Sequence, residues 1–355
     1  MFKKTLLSAI AMAAIVAVSA QDSTKKGITI SGSVDAYYRF DFAGKGNNKT
    51  SFTNSNNSFE LGMATIKLDH SIGKVSATAD LGFGRRAQEF SYNDGSGLLY
   101  TGGAVGNQVS TLAAVKQLYV TYAPSDKIKF TLGKFATHIG YELVDAVANR
   151  NYSMSYGFSY GPFFHTGLKA DISLGGKTAF MIGVANPTDF STNNSPYQYL
   201  ISQLSTATTN DKLKIYLNYQ GTSSPSFKLS QVDLVVLGVI SNKFAINYDG
   251  TIQSRKVGNV SSESWSSNAL YFNYDPSSKF GLTLRGEYLS DKTDLLGIGG
   301  NNIFIPTLSA NIKIDNLTII PEFRLDNAKN AIFSKSNGTA TTSASQFILA
   351  ATYKF

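Results

Sequence analysis

The 355-residue chain has no cysteine. This excludes a disulfide framework and any thiolate-ligated metal or cluster. Long apolar runs are missing as well. Beyond Leu6 to Val18, no stretch approaches the roughly 18 apolar residues that a membrane-crossing helix needs. Charged residues make up only 16% of the chain, against about 25% in a typical soluble domain. The net charge is +8, but the cations are scattered, with no basic run interleaved with aromatics of the kind that lines a nucleic-acid groove. Nucleic acid is therefore not an expected partner. Histidine is rare, confined to His70, His138 and His165. His138 and His165 fall on neighbouring predicted strands within approach of each other, but two histidines with no Cys or Asp/Glu at ligand spacing are a weak metal signal, and no metal is expected. A barrel hydrolase would need Ser with His, or paired carboxylates, set together on one wall, and three scattered histidines give that little support, so an enzyme is not expected. The glycine-containing stretches Gly103 to Asn107 and Gly297 to Asn302 lack the strand-to-helix context of a phosphate loop, and no cofactor is expected.

The first feature present is a leader. Lys3 and Lys4 precede the apolar run, and Val18-Ser19-Ala20 closes it with small residues. The pattern predicts a secretory signal peptide over residues 1–20, leaving 21–355 as a single exported domain.

Alternation with period two runs through that domain. In the last ten residues, Phe347, Leu349, Ala351, Tyr353 and Phe355 share one face, while Gln346, Thr352 and Lys354 lie on the other. A half-buried strand reads this way. The edge strand of a soluble sandwich is the competing reading. A closed barrel has the better use for such an ending, because the last strand must pair with the first to remove both sheet edges. From Ile28 to Phe42, Ile28, Ile30, Val34, Ala36, Tyr38, Phe40 and Phe42 oppose Ser31, Ser33, Asp35, Tyr37, Arg39 and Asp41. One face wants lipid and the other wants water. The same alternation places Arg86, Arg255, Arg285, Glu287 and Arg324 on the wet face. Connections alternate in length. Short turns such as Ile72-Gly73-Lys74 and Asp315-Asn316 are separated by long polar segments, among them Glu89 to Leu112 and Tyr141 to Gly161. Gln198 to Ser205 has no clear alternation, but counting it as a strand gives an even total of about 16 with all short turns at one end. The expected fold is all-β: a closed antiparallel transmembrane β-barrel with short periplasmic turns and long extracellular loops.

Two stretches carry resemblances. The ending Tyr353-Lys354-Phe355 resembles the C-terminal strand of Gram-negative outer-membrane proteins. That resemblance implies outer-membrane lipid and the barrel assembly machinery as partners, with Tyr353 and Phe355 in the assembly signal. The second is Gly133-Lys134-Phe135 with Thr137, Gly140 and Glu142, followed by a Tyr/Ser-rich loop, Pro162 and His165-Thr166-Gly167. It resembles the OmpL-like β-barrel porins common in Bacteroidetes. The implied function is an outer-membrane channel for small hydrophilic solutes. The alternative is a surface-structural or adhesive barrel with a plugged lumen and partner-binding loops. Many barrels of this size form trimers, and no residue here argues for a homo-oligomer.

Around that second stretch lie Lys134, His138, Glu142, Arg150, His165, Lys169 and Asp171. If the loop folds inward, these charges constrict the pore together with Arg39 and the wall charges named above. The competing reading makes them paired structural charges in a wide lumen. Lys134 continues the lipid-facing series Ile128, Phe130, Leu132, so a β-bulge at Gly133 is expected to return it to the lumen. Phe135 and Ile139 would then face lipid, and Glu142 would come within reach of Lys134 or Arg150.

Overall fold

The computed structural model describes residues 27–94, 111–299 and 301–355. The expected signal peptide over 1–20 and the Gly103–Asn107 stretch lie outside them. The strands are β1 (Thr29–Asp41), β2 (Ser58–Ile72), β3 (Val75–Phe83), β4 (Val115–Ser125), β5 (Ile128–Ala136), β6 (Phe164–Gly175), β7 (Thr178–Ala185) and β8 (Tyr199–Ala207). They continue with β9 (Leu213–Ser223), β10 (Phe227–Val239), β11 (Phe244–Val257), β12 (Glu263–Ser277), β13 (Phe280–Ser290), β14 (Asn302–Ile314) and β15 (Leu317–Ala328). A two-residue hairpin, β16 (Phe333–Ser334) and β17 (Ala340–Thr341), decorates the last long loop before β18 (Ser343–Lys354). Two short helices, α1 (Arg85–Phe90) and α2 (Tyr156–Tyr160), sit in loops.

Each long strand pairs antiparallel with its sequence neighbours, and β18 pairs with β1, so sixteen strands close into a barrel with no free edge. Closure leaves every strand backbone with partners on both sides, which a sheet in hydrocarbon requires. The alternation sorts side chains as expected. Val34 is 45% exposed on the outer face, while its neighbours Asp35 and Arg39 are buried inside at 8% and 1%. The turn-bearing end is built from left-handed residues: Gly73 and Gly176 have φ of 56° and 57°, and Asp211 and Asp315 have 58° and 52°. Glycine adopts this region freely, and aspartate tolerates it.

The weak candidate strand is β8, in register with β7 and β9. Its pattern is blurred because Ile201 points inward and packs with Phe135, Met181 and Ala185, while Leu200 and Leu204 point outward. An apolar patch on the lumen wall thus hides the period.

Three local expectations are corrected. Arg86 does not continue a strand: it lies in α1, fully buried beneath the loops. The register through Gly133 is unbroken on both sides, with Gly133 opposite Tyr119 and Gly167, so no bulge forms there. Gly133 instead turns the backbone at φ 136°, and Lys134 is buried at 4% exposure. Phe135 and Ile139 are buried inside rather than facing lipid, at 5% exposure each. A register shift does occur in β2, where Val34 faces Ala64 but Ala36 faces Leu61. Gly62 and Met63 share one position there, and both are buried.

Candidate functional site: the inner loop and the lumen wall

The segment 137–163, between β5 and β6, folds into the barrel. An irregular backbone inside a barrel must find partners for its N–H and C=O groups. The polar faces of the strands supply them. Carboxylates of the wall accept from loop amides. Asp233 takes the Gly140 N–H and Asp249 the Tyr141 N–H, each at 3.0 Å. Glu322 takes the N–H groups of Tyr152 and Ser153 at 2.7 and 3.0 Å. Glu287 takes those of Tyr156 and Gly157 at 3.0 and 2.9 Å. Arginines donate to loop carbonyls: Arg86 to Val144, Arg285 to Ser153 and Arg324 to Met154. The loop thereby reaches strands from β8 through β15, and the Tyr152 hydroxyl closes the circuit on Asp35 of β1 at 2.5 Å.

The expected site residues fall into three groups. Glu142, Arg150, Arg285, Glu287 and Arg324 converge on the loop. Glu142 pairs with Arg285 at 2.5 Å and accepts the Tyr271 hydroxyl and the Ser155 N–H, so neither Lys134 nor Arg150 is its partner. Arg150 instead grips Asp275 at 2.8 Å. Lys134 pairs with Asp94 at 2.8 Å and lies 3.8 Å from the centre of the Phe164 ring. The second group sits near the loop ends. Arg39 pairs with Asp41 at 3.4 Å and Arg255 with Glu263 at 3.3 Å, the latter half-exposed at the rim. Arg86 stacks between the rings of Phe52 and Tyr152. The third group lies towards the short-turn end. There Lys169 touches Asp171, and Asp171 also contacts Lys129.

His138 and His165 do approach each other, with ring centres 5.1 Å apart. His138 Nε2 lies 3.0 Å from the Tyr219 carbonyl, and His165 Nε2 lies 3.1 Å from the Thr137 hydroxyl. Burial holds the His138 imidazole down to about 4, and the nearby Lys169 ammonium adds to the depression against the opposing pull of the Tyr219 carbonyl. In the β7–β8 loop, burial pushes Asp189 up to about 7, although the N–H groups of Phe164 and Phe163 oppose the shift.

Sequence reasoning missed several anchors. Asp189 is one. Others are the buried Lys116, shared between Asp80 and Asp145 at 3.2 and 2.7 Å, and Asp233 and Asp275. Asp233 was legible, because it alternates with Val232 and Leu234. The loop end also holds an apolar core of Phe52, Phe90, Phe158, Phe163 and Phe164. Polar loop composition gives no sign of it.

The family model described as "Putative beta-barrel porin-2, OmpL-like" matches residues 27–355. No curated protein matches the chain. Among solved structures, the outer membrane channel DcaP of Acinetobacter baumannii superposes with a TM-score of 0.62 at 10% identity, covering 94% of this chain and 100% of its own. The anion-selective porin of Comamonas acidovorans gives 0.60 at 10% identity, covering 93% and 99%. The trimer form of OmpT, an outer membrane protein of Vibrio cholerae, gives 0.59 at 11%, with the same coverage. At these identities the likeness is one of fold.

Proposed function

Because the chain belongs to the OmpL-like β-barrel porin family, and is thus an outer-membrane porin, we propose that it conducts small hydrophilic solutes through a narrow lumen constricted by the inner loop. The observation that carries this reading is the inner loop itself, whose backbone is held by Glu287, Glu322, Arg285 and Arg324 of the wall. Glu142, Arg150 and His138 are then constriction residues, and Lys134 fastens the β3–β4 loop through Asp94. In this orientation the short turns face the periplasm, the long loops face outside, and residues 1–20 direct export. Tyr353 and Phe355 serve barrel assembly in the lipid of the outer membrane.

A plugged, partner-binding barrel is the second reading. It is favoured by the aromatic core under the loops and by side chains such as Tyr152 and Tyr156 with no exposure at all. Planar-bilayer recording on the purified, folded chain decides between them. Stepwise conductance is expected. A sample that keeps the compact form on gels without boiling, yet never opens a channel, overturns the porin reading in favour of the plug.

A further inference from the structure

Charges on the predicted wet faces nearly balance along the sequence, which by itself argues against strong ion selectivity, but the fold separates them by height. In the loop-end half, arginines and carboxylates neutralise one another through the inner loop. At the short-turn end the balance fails. Six inward-facing lysines stand there: Lys67, Lys129, Lys169, Lys214, Lys313 and Lys354. Among the described residues, the inward acids at that level are few. Asp171 is shared by Lys129 and Lys169 at 3.3 Å each. Asp275 is already taken by Arg150, and Asp69 by Lys67 at 3.0 Å. Asp211 divides between Lys177 and Lys214, at 2.6 and 3.8 Å.

The rim extends the imbalance. Six turns place a lysine immediately before the following strand: Lys74, Lys127, Lys177, Lys212, Lys243 and Lys279. The turn acids are Asp126, Asp211 and Asp315. Lys129 remains 37% exposed in its side chain despite its ion pair, so its field acts on solvent. A mouth lined by one sign of charge inside low-dielectric walls concentrates counter-ions and sets selectivity.

We propose that the short-turn mouth is an anion-collecting vestibule, making small anionic solutes the preferred cargo. This rests on the porin reading and adds a substrate class to it. The inner loop reaches into this vestibule at Arg150, which holds Asp275, and any solute crossing the barrel passes through the mouth.

The test is the reversal potential of the full chain in a planar bilayer under a KCl gradient. An anion-to-cation permeability ratio above about 3 is expected near 0.1 M salt. It should decline towards unity near 1 M, where the Debye length shrinks to about 3 Å. The combined variant Lys169→Gln, Lys313→Gln, Lys354→Gln should lower the ratio by about twofold or more. Lys228→Gln, on the outer face of β10, should leave it unchanged. A conducting wild-type channel with a ratio at or below unity overturns the vestibule and leaves the porin reading intact. A folded chain that never conducts overturns both. The wild-type measurement stands even if the combined variant fails to fold.

Discussion

His138 shows how one residue ties chemistry to the inner loop. Its ring is buried against His165, with Lys169 as the nearest cation and the Tyr219 carbonyl as its partner. A second positive charge there would meet Lys169 without a carboxylate partner. Burial keeps the imidazole neutral, holding its pKa at about 4 against 6.5 in the open. The folded state therefore binds fewer protons than the released loop between these values. The imidazole's contribution to the loop's stability is complete above about pH 6.5 and is lost as pH falls towards 4, by roughly 3 kcal/mol in all. Hydrogen exchange over residues 137–163 is expected to accelerate on acidification across that window, and His138→Gln should weaken the dependence, with the buried ring of His165 beside it carrying the rest. Protection that ignores pH, or an identical acid response in His138→Gln, would rule this out.

At the scale of single strands, closure depends on the two ends of the domain meeting. The N–H and C=O of Gly32 exchange hydrogen bonds of 3.0 Å with Phe355. A Cβ at Gly32 would lie 2.3 Å from the Thr65 carbonyl oxygen of β2 and 2.6 Å from the Phe355 ring. The terminal ring thus covers a strand position that only glycine leaves open. Gly32→Val and Phe355→Ala should both slow assembly, the first by forcing the β2 backbone and the ring away and the second by removing the ring. Heat-modifiable mobility on gels reports the folded fraction, and wild-type yields in both variants would refute the seam. Strands such as β1 and β18 were legible from their alternation because one face meets lipid and the other water along their whole length. Gly133 was only half legible. The pattern announced a conflict at Lys134, but the fold resolves it by a left-handed glycine and a buried Asp94 partner instead of a bulge. The site was harder to read. Alternation names the wall residues, but which loop amide each carboxylate receives depends on a chain path with no period. Glu142 thus went to Arg285, a residue 143 positions away.

Across the whole molecule, two systems carry stability separately. The ladder of sixteen strands closes without the inner loop, whereas the loop is held by buried charge pairs and borrowed hydrogen bonds. Buried ion pairs gain little over apolar contacts, but removing one partner costs about 3–5 kcal/mol because the other is left uncompensated. Glu142 is the sharpest place to apply this. It meets Arg285, Tyr271 and Ser155 at once, joining the wall at β12 and β13 to the loop. Glu142→Gln should therefore loosen the loop while the barrel persists. The folded band on unboiled gels should remain, protease cleavage within 137–163 should rise, and single-channel conductance should increase with more frequent gating. Ion preference should hardly change, since the lysines of the short-turn mouth lie outside this web. If Glu142→Gln abolishes the folded band, loop and barrel form one cooperative unit; if conductance stays at its wild-type level, the inner loop does not limit the pore.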